Sequence, residues 1–227
     1  KSMIPEAIMK TSVGKILGVE NYKHREENYL LYLINAREGR DQACGLHSCS
    51  HTPINYGLMV YTKTALAFEY LQSYIGEEEF DSAMQNYYEQ WKFKHPQPKD
   101  IQNSLEKSTN KNLDWFFEDY IKTTKKTDYS FKKIAEINEQ EYLIKLKNLT
   151  GYTSPIPIQM IDDSNEIISE KWIKGFKKDT SFVYKTREKP SKIAIDYNVI
   201  TTDFNYKKHI SNSSGILKLR KPMKFRF

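Results

Sequence analysis

The 227-residue chain has only two cysteines, Cys44 and Cys49. A small secreted domain held by disulfides needs more, so a disulfide framework is excluded and the redox compartment stays open. No apolar run approaches the roughly 18 residues that cross a bilayer, which excludes a transmembrane helix. No secretory leader pattern stands at the start either. Lys1-Ser2-Met3 leads straight into helical sequence, as expected of an excised piece whose targeting segment lies elsewhere, and localisation is unassigned. Internal repeats and low-complexity tracts are lacking too. Arginine is scarce beside lysine in the second half, with no arginine–aromatic interleaving, which argues against a nucleic-acid partner.

What is present reads as a soluble globular chain, 39% hydrophobic and 28% charged. The net charge of +6 is unevenly spread. Residues 1–120 carry 13 basic and 17 acidic groups, whereas residues 121–227 carry 22 and 12. The two halves are electrostatically different bodies, and the basic one is expected to be a lysine-rich solvated face.

Patterning separates the halves in the same place. Residues 4–17 and about 22–37 read as helical, the second stretch with Tyr29, Leu30, Leu33 and Ile34 apolar. Residues 42–53 form an irregular loop. From Leu58 to Ile75, the set Leu58, Tyr61, Ala65, Phe68, Leu71 and Ile75 recurs at steps of three and four, an amphipathic helix capped by Asn55 and ended by Gly76. Glu77–Trp91 is a further helix with Phe80, Ala83, Met84, Tyr87, Tyr88 and Trp91 apolar and three glutamates in its first turn. His95-Pro-Gln-Pro98 stops it. Asp100 and Asn112 then cap short helices.

After residues 122–128 the period falls to two. Tyr142, Ile144 and Leu146 alternate with lysines, a half-buried strand. Residues 155–161 read as an edge strand because of their prolines, residues 162–165 as a turn, and 166–173, 181–185 and 192–196 as further short strands. The expected fold is a multi-domain α and β chain. An all-α helical domain, residues 1–126, precedes an all-β sandwich domain, residues 127–227.

One ordered series is similar to a known family. Tyr56, then Tyr61-Thr-Lys-Thr-Ala65 and a helix ending at Gly76, is followed by Phe80-Asp-Ser-Ala-Met84, Tyr87, Tyr88, Trp91-Lys-Phe-Lys-His95-Pro, Asp100 and Leu113-Asp-Trp-Phe-Phe117. Over roughly residues 55–121 this resembles the aminopeptidase-N / leukotriene-hydrolase family of zinc metallopeptidases, the gluzincins. It departs at Thr64, where the family commonly has glycine. The resemblance implies the later part of a catalytic domain plus the immunoglobulin-like β-sandwich that follows it. It implies zinc in the intact protein, a peptide substrate, and removal of N-terminal residues. It also assigns Tyr61 as the phenol that hydrogen-bonds the oxyanion, with Tyr56 beside the same pocket; without it, both tyrosines read as ordinary rim or core residues.

The family's His-Glu-x-x-His motif is absent here, so the metal is expected on an upstream portion of the same chain, with none in this piece and no activity from it alone. Cys44, His47, Cys49 and His51 are all zinc-capable, but eight residues leave little chain to wrap an ion, and an ordinary loop is expected. A Cys44–Cys49 disulfide stays open. The other functional class is a non-catalytic scaffold or binding module from the same superfamily. Asn148-Leu-Thr150 and Asn212-Ser-Ser214 match the N-glycosylation acceptor pattern, which chance supplies readily.

Overall fold

A computed structural model describes residues 24–138, 140–205 and 209–212; the helix expected over residues 4–17 lies outside them. Helices come first: α1 (His24–Arg37), α2 (Pro53–Asn55) running into a π-helix, π1 (Tyr56–Lys63), then α3 (Thr64–Ile75), α4 (Glu77–Trp91), α5 (Pro98–Thr109) and a second π-helix, π2 (Trp115–Ile121). Strands follow: β1 (Tyr129–Asn138), β2 (Glu141–Asn148), β3 (Ile156–Ile161), β4 (Ile167–Ile173), β5 (Asp179–Lys185), β6 (Lys192–Ile195) and β7 (Ile210–Asn212). The order, helices and then antiparallel strands, is the one the sequence pattern predicts.

The helix ends are set by local chemistry. Thr52, not Asn55, caps the run into π1: its hydroxyl accepts from the Asn55 amide at 3.3 Å, and Pro53 fills the first turn. Asn55 is buried instead as a brace. Its amide donates to Arg40 O and Gln42 Oε1, and its carbonyl accepts from Asn35. At Gly76, φ is +102°, a conformation that leads the chain out of α3 into α4 and suits glycine. Asp100 lies inside α5, where its carboxylate accepts from the Gln97 amide at 2.7 Å.

Two of the expected apolar faces are rotated. In α1 the buried set is Tyr29, Tyr32, Leu33 and Ala36, while Leu30 and Ile34 are exposed. Both sets have helical spacing, so spacing alone could not choose between them. Along π1 and α3 the buried residues are Met59, Lys63, Leu66, Ala67, Tyr70, Leu71 and Ile75. The π-turns change the angular step per residue, so a phase drawn for a continuous α-helix misplaces Tyr61 and Ala65.

The helical core gathers Leu71, Ile75, Phe80, Ala83, Leu105 and Phe116, so α3 and α4 pack as expected and π2 closes the same core. The strands form two antiparallel sheets, β1-β2-β5 and β4-β3-β6-β7. Tyr142, Ile144 and Leu146 of one pack with Ile156, Ile158, Met160, Ile193 and Ile195 of the other, a sandwich core. β3 is central and wholly buried rather than an edge strand. Pro157 is accommodated there because its carbonyl accepts from the Asp196 amide, just past the end of β6. Its missing N–H therefore faces the point where that ladder stops.

The two halves share packing. Tyr152 inserts its ring into the helical core and donates to Trp115 O at 2.8 Å. Tyr70 donates to Pro155 O, Tyr29 to Asp203 O at 2.6 Å, and Tyr120 meets Thr202 Oγ1 at 2.5 Å. Asn148, the first acceptor asparagine, is buried and spends its amide on Tyr152 O and Phe176 O, both at 2.7 Å, so it serves the loop and not a glycan.

Gly175 sits hard against the same loop. A Cβ there would stand 2.4 Å from the Thr153 carbonyl carbon and 2.7 Å from the Ser154 nitrogen. Gly175→Ala must move backbone against backbone, and we expect a loss of about 1–3 kcal/mol in chemical denaturation of the chain. An unchanged midpoint would show that the loop gives way freely.

Candidate active site

Tyr61 lies five positions after Tyr56. In an α-helix that spacing puts two side chains about 140° apart, at about 100° per residue. In a π-helix, whose hydrogen bonds join residues five apart, they stand one turn above each other. π1 spans both tyrosines, and their rings meet edge to face with centroids 5.7 Å apart. The His51 ring lies 6.4 Å from that of Tyr56. The irregular helix is therefore what turns a spaced pair of tyrosines into a cluster.

Both tyrosines are on the surface, Tyr56 at 39% and Tyr61 at 63% exposure. A hydrogen bond with Tyr56 pushes the Tyr61 phenol above its ordinary pKa. Tyr61 thus keeps its proton throughout the neutral range and can donate it to an acceptor brought to this face.

Lys63 is the site-proximal residue that sequence reading passed over. It completes the Tyr61-Thr-Lys63 segment yet is 0% exposed. A lysine in an amphipathic helix is placed outside by default, so the one available signal was its position: it shares a face with Met59 and Leu66, away from the tyrosines.

The Cys44–His51 loop does not form a ligand set. Cys44 is partly buried beside the α1–π1 core, and burial pushes its thiol up. His47 Nδ1 meets Cys49 Sγ at 3.0 Å, whereas His51 Nε2 meets Ala43 O at 3.1 Å. Both cysteines are free. Among the described residues no three His, Cys, Asp or Glu side chains come together to hold a metal. The donors among the described residues therefore offer no ligand set for a zinc ion. No helix among the described residues is long and apolar enough to cross a membrane.

Fold and site together define a helical unit that presents a phenol pair on a π-turn, backed by an antiparallel sandwich. The model of the peptidase family M1 domain matches residues 19–120, and over that stretch the chain is similar to that family. Among solved structures, the crystal structure of Legionella pneumophila aminopeptidase A in complex with aspartic acid is similar, with a TM-score of 0.55 at 19% identity. The match covers 67% of this chain and 18% of that one, and at such identity the likeness is one of fold. No curated protein matches the chain significantly.

Proposed function

We propose that the chain is the later part of a zinc-dependent aminopeptidase that removes N-terminal residues from peptides. Tyr61 is its transition-state hydrogen-bond donor and Tyr56 the neighbour that holds it. The observation that carries this reading is the exposed Tyr56–Tyr61 pair, its rings edge to face, inside the stretch matched by the peptidase family. When a peptide carbonyl is attacked, charge develops on its oxygen. A neutral phenol within reach stabilises that charge more than it does the ground-state carbonyl. Zinc is held by an upstream portion of the same chain in the intact protein and supplies the activated water there. We place the domain boundary near Thr127, with residues 127–227 as an immunoglobulin-like sandwich.

The test compares the intact protein with the 227-residue chain on peptides bearing free or acetylated N-termini. The intact protein should release the first residue from free-amine peptides only, and the chain alone should release none. An intact protein inert on every peptide would favour the scaffold reading instead.

A further inference from the structure

Lys63 is a buried ammonium that the proposed chemistry does not use. It lies fully out of solvent, and no described group accepts a hydrogen bond from its Nζ. Instead Nζ sits 5.0 Å from the ring centroid of Tyr120 in π2 and 5.9 Å from that of Tyr32 in α1. Both rings are themselves buried. Burial pulls its pKa down, while Cys44 and Asp41 oppose that shift and Lys126 adds to it. Asp41, the one carboxylate among these, is engaged at 2.9 Å by Lys126.

A cation so placed is costly to the fold, because ring faces replace only part of the lost hydration. An apolar side chain of similar length would fill the space at less cost. What the cation does is tie π1 to two other elements at the turn where the tyrosines pair. Lys63 and Met59 point inward from one face of π1, and Tyr56 and Tyr61 outward from the other. The Thr64 hydroxyl donates to Met59 O at 2.9 Å, a bond across five residues that fastens the same turn. If this end of π1 tightened into an α-helix, the five-residue spacing would carry Tyr61 away from Tyr56.

We infer that Lys63 is a positioning residue, whose ammonium, clasped by the rings of Tyr32 and Tyr120, holds the π-turn that keeps Tyr61 against Tyr56. The inference deepens the aminopeptidase reading and rests on Tyr61 being the working phenol. Its test uses the intact protein with fluorotyrosine at position 61, titrated by fluorine NMR, alongside kcat, KM and melting temperature. In Lys63→Met, the Tyr61 phenol should titrate at lower pH than in the parent, kcat should fall at least tenfold with KM within about twofold, and the melting temperature should hold or rise. Tyr120→Phe keeps the ring face and should leave the Tyr61 titration unmoved. Lys63→Gln is the second neutral variant, should the thioether pack badly.

An unshifted Tyr61 titration in the folded neutral variants would overturn the inference, whatever happens to the melting temperature. So would failure of both variants to fold, since the cation would then be holding the protein rather than the turn. The two readings separate cleanly. If Tyr61→Phe leaves turnover intact but Lys63→Met still moves the Tyr61 titration, the catalytic role is wrong and the positioning role stands.

Discussion

Tyr61→Phe in the intact protein should lower kcat and kcat/KM together by about 100- to 1,000-fold, or roughly 3–4 kcal/mol, the loss typical of one oxyanion donor. The ring stays, so its edge-to-face contact with Tyr56 stays too. At 63% exposure the phenol contributes little to packing, and the melting temperature should move by no more than a degree or two. KM should change little, because the hydrogen bond strengthens as charge develops on the substrate oxygen. Zinc content of the intact protein should be unchanged, since the phenol is assigned no bond to the resting metal. Tyr56→Phe removes only the partner's hydroxyl and should cost less. Turnover of Tyr61→Phe within twofold of the parent would falsify the assignment and leave Tyr61 as a rim tyrosine.

What made this site hard to read is the helix that carries it. π-turns have no residue signature comparable to a cap or a glycine stop, so the stretch from Leu58 reads as one α-helix with Tyr61 facing inward. The structure turns it outward at 63% exposure, and Lys63, a charged residue, takes the inner face. Only the resemblance pointed at Tyr56 and Tyr61 as a pair. Their five-residue spacing counts against proximity until the π geometry is known.

Elements with strong local punctuation were legible. α4 is bounded as predicted because Gly76 precedes it, three glutamates favour its first turn, and the prolines after His95 bar its continuation. In β2, Tyr142, Ile144 and Leu146 are buried in strict alternation. β1 was not foreseen. Its register slips between Phe131 and Lys133, so the period-two pattern breaks where Lys132 and Lys133 both face solvent. Pro157 misled in another way: proline is barred from an interior strand only where its missing N–H would face a continuing ladder, and here that ladder has ended.

The boundary near Thr127 marks a change of secondary structure, but the contacts across it predict one cooperative unit. Tyr152 is the sharpest case. It belongs to the loop after β2, yet its ring is 3% exposed inside the helical core, and its hydroxyl donates to Trp115 O. Trp172 of β4 supports the same junction, with its ring 6.1 Å from Tyr70 and 5.4 Å from Tyr74 of α3. Tyr152→Ala in the 227-residue chain should therefore cost about 3–5 kcal/mol, the usual loss for a large buried aromatic, because a cavity opens between elements that are pinned on other sides. Tyr152→Phe should cost about 1 kcal/mol, the net worth of the bond to Trp115 O. In urea, helical circular dichroism and tryptophan fluorescence should shift together to lower midpoints, with the slope unchanged. Two separated transitions in Tyr152→Ala, with the helical signal at its parental midpoint, would show instead that the halves fold independently and that the tyrosine only fills a seam between them.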